Sequence, residues 1–337
     1  MRVVVSASDP GAANAVFPLI RKLKKHTLLN IIEGPAKKIF CSWDIDFKDA
    51  DKISQAELER MLTKFKPNLF LAGTSVGPTI DKKVLYYCKK RKIRSIYILD
   101  YWSNYVQRFS NNPGDFKFLP DLICVMDDLA KKEMVKLGFN PKVICVTGNP
   151  YFEYFTTGFG TSGNEHDSIL FISQPLSRVN KTHKLNMFGF DEFSVFDDLL
   201  AVLSGLKKQD VKLSLRLHPK DYPSKYNSYL KKHGNVKIDR LDLKNSLKKH
   251  GLVFGMNSIV LYLANLVGRN VVSYQPGLSK NELIREKSIL CDKIVTAKSD
   301  LAGEIKRYLE GNFKAKSTVN YIKGPIKNII NLIENEK

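Results

Sequence analysis

Three short stretches in the C-terminal half set phosphate-binding chemistry at the ends of strands. "LSLRLHPKD" (213–221) alternates Leu213, Leu215 and Leu217 with polar neighbours, as a half-buried strand does. It carries Arg216, then ends in His218, Pro219, Lys220 and Asp221. "FGMNSIV" (254–260) places Asn257 and Ser258 at the start of a helical pattern, and "YQPGLSKNE" (274–282) places Gln275 and Ser279 before another. Helix N-termini with free N–H groups and a nearby hydroxyl or amide bind anions, and an imidazole at a strand end can donate to a phosphate oxygen. "SQPLSRVNKTHK" (173–184) follows a further strand and offers Ser173, Gln174 and Arg178 in a loop long enough to close over a ligand. Taken singly, Asn257 and Ser258 read more readily as ordinary helix caps and His218 as a loop histidine. Their concentration in one half of the chain is what points to a bound phosphate.

The elements that must position these residues are legible as an alternation. "RVVVSA" (2–7) is a continuous β-branched run of the kind buried on both faces of a parallel sheet, followed by a turn and a helix over 12–25. Strand and helix then alternate through "LLNIIEG", "SQAELERMLTKF", "NLFLAG", "IDKKVLYYCKKRK", "SIYILD", "DLICVM", "DDLAKKEMVKLG" and "KVICVTG". The pattern lapses between 151 and 167, where "TTGFGTSGNEHD" is rich in Gly, Ser and Thr and reads as a linker. It restarts with "SILFIS" and runs on through helices near 191–207 and 223–232. The expected fold class is α/β, with two Rossmann-like domains facing across a cleft: 1–155, then 166–320, and a C-terminal helix over 321–337 returning to the first. Ligands of such sheets bind beyond the carboxyl ends of the strands.

At 337 residues the chain is long enough for two domains, and 43% hydrophobic with 10% aromatic residues is a globular composition. The 54 Lys and Arg against 34 Asp and Glu give a formal charge of +20, which favours anionic partners: nucleic acid, phosphorylated small molecules or an acidic membrane surface. "RKLKKH" (21–26) and "KKRKIR" (89–94) fall where helices end, so a solvated helix C-terminus accounts for them as well as a membrane patch does. Five scattered cysteines without a CxxC or Cys/His cluster indicate neither a disulfide framework nor a metal site, and they suit a reducing cytoplasm. No signal peptide or membrane-spanning run is apparent, so a cytoplasmic protein is expected, with any membrane contact peripheral on the inner face.

The order of "HP" after a strand, then a Gly-bounded strand leading into "NS" at a helix start, resembles the donor half of GT-B glycosyltransferases. It is most similar to the bacterial sialyltransferase, Kdo-transferase and CDP-glycerol glycerophosphotransferase groups. "VTGNP" (146–150) resembles the segment by which GT-B chains leave their N-terminal domain. The resemblance implies that His218 with Pro219, as the HP pair, and Ser258 with Asn257, as the serine motif, hold the phosphate of a nucleotide-linked sugar; the strand-end loops themselves add Arg216, Lys220, Gln275, Ser279 and Ser173 to the expected donor side. The D/E-D/E-G acid motif of several sialyltransferases has no counterpart here.

The N-terminal half would then hold the acceptor and the base. Glycosyl transfer by direct displacement needs a carboxylate or imidazole within reach of the acceptor hydroxyl and stabilisation of the departing phosphate. Asp9 in "SASDPGAAN" is the first choice of base, with Asp100 in "ILDYWSNYVQRF" close behind, and His218 acts at the leaving phosphate. Asp9 reads equally as a turn residue before Pro10 and Gly11. Tyr101, Trp102, Asn104, Tyr105 and Arg108 have the mix of apolar faces and polar groups that a sugar-binding wall requires, with a surface loop packed by its own aromatics as the alternative, and Gly11, Asn14, Thr74 and Ser75 complete the expected acceptor side. Thr74 and Ser75, in "GTSVGPT", serve equally to cap the next helix.

The leading expectation is a metal-independent glycosyltransferase with no cofactor beyond its nucleotide-sugar substrate. CMP- or CDP-linked donors are favoured, with UDP- and GDP-sugars open, and the acceptor is a glycan or glycolipid of surface polysaccharide synthesis. A nucleotide-sugar 2-epimerase or hydrolase on the same fold is the alternative, against which the aromatic "DYWSNY" loop counts. A nucleic-acid-binding protein would explain the charge, but the basic residues are dispersed and no helix-turn-helix, RRM or zinc-finger pattern appears, so nucleic acid is not expected as a partner.

Overall fold

The computed structural model describes residues 1–112, 114–160, 165–183, 189–208, 210–291, 293–313 and 321–335. Residues 161–164 of the expected linker and Lys184 of the expected loop lie outside the described residues. The chain divides into two compact units, Met1–Thr157 with Tyr321–Lys337, and Gly158–Asn320.

Unit 1 is built on strands β1 (Arg2–Ala7), β2 (Thr27–Ile32), β3 (Lys48–Asp49), β4 (Leu69–Gly73), β5 (Arg94–Ile98), β6 (Leu122–Val125) and β7 (Ile144–Val146). Helices α1 (Pro10–Ile20), α2 (Ala36–Ser42), α3 (Gln55–Phe65), α4 (Ile80–Lys90), α5 (Tyr105–Phe109), α6 (Asp128–Lys136) and α7 (Pro150–Thr156) alternate with them. The strands pair in parallel in the order β3-β2-β1-β4-β5-β6-β7. Val3, Val4 and Val5 of β1 are all fully buried, because a central parallel strand covered by helices on both faces has no solvent side. The order reverses between β1 and β4, so their following loops diverge and leave a crevice at their carboxyl ends.

Against that crevice α1 packs unusually close. A Cβ on Gly73, the last residue of β4, would run into the Ala12 backbone. Gly73→Ala is therefore expected to cost about 2 kcal/mol, seen as a lowered urea midpoint with an unchanged slope. A variant as stable as the parent would show that α1 can back away.

Unit 2 carries strands β8 (Glu165–Ile172), β9 (Lys212–Arg216), β10 (Val236–Ile238), β11 (His250–Gly255), β12 (Asn270–Tyr274) and β13 (Ile294–Val295). Its helices are α8 (Leu176–His183), α9 (Glu192–Gly205), α10 (Asn227–Lys232), α11 (Leu243–Lys249), α12 (Ile259–Leu266), α13 (Lys280–Ile289) and α14 (Lys298–Leu309). The sheet is again parallel, ordered β10-β9-β8-β11-β12-β13, with its reversal between β8 and β11. Phe171, Phe196, Tyr226, Phe254 and Tyr274 meet in its core. Helix α15 (Pro325–Glu334) belongs to unit 1, where Ile329 and Ile333 enter the core that contains α1.

Where a loop able to close over a ligand was expected over 173–184, Leu176–His183 forms α8. Glu192 accepts hydrogen bonds from the Ser177 N–H and hydroxyl at 2.8 and 2.7 Å, tying the first turn of α8 to α9. The basic runs follow α1 and close α4, where the negative end of the helix dipole favours cations. Among the described residues no helix is long and apolar enough to cross a membrane.

Candidate functional site

In unit 1 the reversal point gathers a carboxylate, a guanidinium and a helix N-terminus. Asp100 follows β5, and its Oδ1 accepts from Arg108 Nη1 at 2.6 Å and from the Thr74 hydroxyl at 3.4 Å. Arg108 is 7% exposed and also donates to the Thr74 carbonyl and hydroxyl and, through Nε, to the Ser103 carbonyl. The other carboxylate oxygen lies against the first turn of α1, where a Cβ on Gly11 would collide with it. Glycine at that position lets a carboxylate approach the positive end of α1. Asp9 occupies the N-cap position of α1 in extended backbone without capping the helix through its side chain. Asn14, one turn beyond Gly11, is half-buried. Asp9, Gly11, Asn14, Thr74, Asp100 and Arg108 are thus all carried by the carboxyl ends of β1, β4 and β5 or the helices that follow.

Ser75 is buried, and below it Lys82 donates to the Ser75 and Gly77 carbonyls, pinning the loop after β4. Burial holds the Lys82 pKa below the usual ammonium range, with Asp81 and Asp9 partly restoring it.

The aromatic segment corrects an expectation. Trp102 is 1% exposed, stacks on Phe152 and donates its indole N–H to Asp127 at 2.9 Å. Tyr105 is likewise buried, its hydroxyl donating to Glu133 at 2.7 Å. A buried indole or phenol requires such a partner, and these rings pack the core rather than line a sugar wall. Tyr101 stays half-buried at the edge of Trp102, and Asn104 is exposed in left-handed backbone at the start of α5.

In unit 2 the loops after β8, β9 and β11 are joined by side chains. Gln174 donates to Asn257 Oδ1 at 2.9 Å and accepts from the Asn257 N–H at 3.1 Å, so the two amides bridge the reversal point between β8 and β11. Ser258 caps α12, accepting from the Val260 N–H at 3.2 Å. After β9, His218 Nδ1 accepts from the Lys220 N–H at 3.1 Å, which places the proton of a neutral ring on Nε2. Asp221 Oδ2 accepts from the His218 N–H at 2.9 Å and from the Ser173 hydroxyl at 2.8 Å. His218, Ser173, Asn257 and Ser258 therefore come together at one end of one sheet, with Lys220 exposed beside them.

Three other expected donor residues are committed elsewhere. Arg216 pairs with Asp239 at 2.6 Å and donates to Ser246 and the Leu241 carbonyl, toward β10. Ser279 forms a capping box with Glu282 at the start of α13. Gln275 is 2% exposed and donates to Ser273 and the Met256 carbonyl, a structural tie between β12 and the loop after β11. The side chains of Asp221, Lys225 and Glu192, none of them among the expected site residues, are withdrawn from solvent and brace these loops. Their one local signal is the four-residue spacing of Asp221 and Lys225 just after "HP". Among the described residues no three His, Cys, Asp or Glu side chains come together as a metal-binding group.

No family model and no curated protein matches the sequence. Solved structures do match in fold. A putative UDP-N-acetylglucosamine 2-epimerase from Listeria monocytogenes aligns with a TM-score of 0.66 at 18% identity, covering 100% of this chain and 97% of the other. The UDP-GlcNAc 2-epimerase of Neisseria meningitidis, bound to UDP-GlcNAc, aligns with a TM-score of 0.66 at 14% identity over 99% of this chain and 100% of the other. MurG of Acinetobacter baumannii aligns with a TM-score of 0.54 at 11% identity over 99% of both chains. At these identities the likeness establishes architecture: the chain has a GT-B-like fold, with two parallel-sheet Rossmann-like units accounting for its length.

Proposed function

We propose that the chain is a nucleotide-sugar enzyme acting on the sugar of its own bound nucleotide, as a 2-epimerase or hydrolase. Unit 2 takes the nucleoside diphosphate and unit 1 supplies proton transfer. The observation that carries this reading is the burial of Trp102 and Tyr105. It removes the aromatic wall that argued for a second sugar and leaves the Asp100–Arg108 pair against the first turn of α1, whose N-cap position is Asp9. Inverting C2 requires its proton to leave one face as the C1–O bond to the diphosphate breaks, and a proton to return to the other face as that bond re-forms, which calls for carboxylates of this kind rather than an acceptor site. The full-length likeness to 2-epimerases supports the same choice and makes UDP-GlcNAc the first substrate to test. At the phosphate, His218 Nε2–H and the N-terminus of α12 supply the donors, while the Ser173 hydroxyl is spent on Asp221.

Acceptor-dependent transfer from a CMP-, CDP-, UDP- or GDP-linked donor is the second reading, favoured by half-exposed Tyr101 beside Asn104 and by the likeness to MurG. Its acceptor would be a surface glycan or glycolipid, and the +20 charge would suit work at an anionic membrane face. Incubation with UDP-GlcNAc in deuterated water, without acceptor, separates the two. The first reading expects, without acceptor, either an epimerised sugar carrying deuterium at C2 or a sugar released by hydrolysis, both followed by NMR. A substrate left unchanged until a glycan acceptor is added would replace it with the second.

A further inference from the structure

Beneath the proposed nucleotide site lies an ionic node buried to a degree rare for charged groups. The side chains of Lys225 and Asp221 are each 3% exposed and that of Glu192 is 0% exposed. Lys225 Nζ lies 2.7 Å from Glu192 Oε1 and 2.8 Å from Asp221 Oδ1, and approaches the Gln174 carbonyl at 3.1 Å and the Ser173 hydroxyl at 3.2 Å. One ammonium facing two carboxylates leaves an excess negative charge out of water. Such an arrangement persists only when further donors satisfy the remaining oxygen lone pairs. Those donors are named on both sides: Ser177 on Glu192, and the His218 N–H with the Ser173 hydroxyl on Asp221.

The two carboxylates are therefore unequal in what they hold. Beyond Lys225, Glu192 grips the first turn of α8. Asp221 grips the main chain at His218 and the side chain of Ser173. Lys225 extends the hold to the Gln174 carbonyl, and the Gln174 side chain in turn clasps Asn257, the residue before Ser258. A single node thus reaches the loops after β8, β9 and β11.

We infer that Asp221 and Lys225 are positioning residues of the nucleotide site: through the His218 N–H, the Ser173 hydroxyl and the Gln174 carbonyl they fix His218 and the start of α12 in the geometry that meets a nucleoside diphosphate. The inference rests on unit 2 being the nucleotide-binding unit. A hydrogen-bond donor held in place before the ligand arrives avoids the ordering cost of binding, so loosening Asp221 should weaken affinity without removing any group that touches the ligand.

The test compares two carboxylates of the same node by calorimetric titration of the full chain with UDP, GDP, CDP and CMP. For whichever nucleotide binds the parent, Asp221→Ala is expected to weaken Kd at least tenfold, and Glu192→Gln by less than about threefold, although both lower the unfolding midpoint. Asp221→Asn, which keeps an acceptor oxygen for the His218 N–H, should recover part of the affinity. It also stands in as the weakened variant if Asp221→Ala does not fold, with a threefold or greater loss expected relative to Glu192→Gln. Equal weakening by the Asp221 and Glu192 variants, or none by either, would reduce the node to a stability element and overturn the inference with the nucleotide reading intact. A parent that binds none of the four nucleotides would overturn both.

Discussion

Asp100→Asn is expected to lower kcat on a UDP-sugar by ~10²–10⁴-fold while leaving UDP affinity within about threefold, since the change removes a proton acceptor from unit 1 and nothing from unit 2. The amide keeps an oxygen for Arg108 Nη1 and the Thr74 hydroxyl, so the local hydrogen bonds survive. What disappears is the negative charge beside the first turn of α1 and opposite a guanidinium that is itself 7% exposed. A buried Arg108 facing a neutral partner loses a charge-assisted bond, at a cost of about 1–3 kcal/mol, which unfolding in urea will register separately from turnover. Single-turnover consumption of the nucleotide-sugar and UDP titration on the same preparation distinguish the two effects. A variant retaining more than about a third of the parent rate, alongside an Asp9→Asn variant that loses it, would move the acid–base role to Asp9.

The fold was legible because buried parallel strands write themselves as continuous apolar runs. "RVVVSA" and "NLFLAG" became β1 and β4, each buried except for Arg2 at the edge. Short elements held by distant partners were not legible. β3 is two exposed residues, and α8 is a polar segment anchored by Glu192, on a helix that begins several residues after it ends. At the site, residue type was readable but direction was not. Trp102 turns inward because Asp127, 25 positions later, satisfies its N–H, and Tyr105 because Glu133 does the same from 28 positions away. Arg216 is taken up by Asp239 and Ser246 because β9 pairs with β10 and brings both within reach. Those contacts exist only once the strands are paired. Asp221 and Lys225 were different: their spacing was visible, and what concealed them was that a charged pair in a loop ordinarily belongs to solvent.

The largest expected change in stability lies in unit 1 at Asp81, near the N-terminus of α4. Its side chain is fully buried, and among the described residues neither carboxylate oxygen accepts a hydrogen bond of ordinary geometry. Burial pushes its pKa up from 3.8 to about 6, while the neighbouring Thr79 hydroxyl and Lys82 ammonium offset only part of that and Glu33 adds to it. Because the folded pKa is the higher one, the folded chain binds this proton more tightly than the unfolded chain. The stabilisation from protonation is complete below the unfolded value and is lost as pH rises through about 6. The penalty of carrying the ionised group above that range is on the order of 3 kcal/mol. Asp81→Asn, which cannot ionise, should escape it. Urea unfolding is expected to show the variant more stable by up to about 3 kcal/mol near pH 8, with roughly half of that advantage gone near pH 5. Since the new amide brings donors that also need partners in the same buried space, its offset from the parent can shift the whole curve, but not its slope against pH. The slope is therefore the quantity that decides: a stability difference that stays flat between about pH 5 and pH 8 would mean that Asp81 does not titrate in this interval, and that its carboxylate is either solvated or paired more tightly than its surroundings indicate.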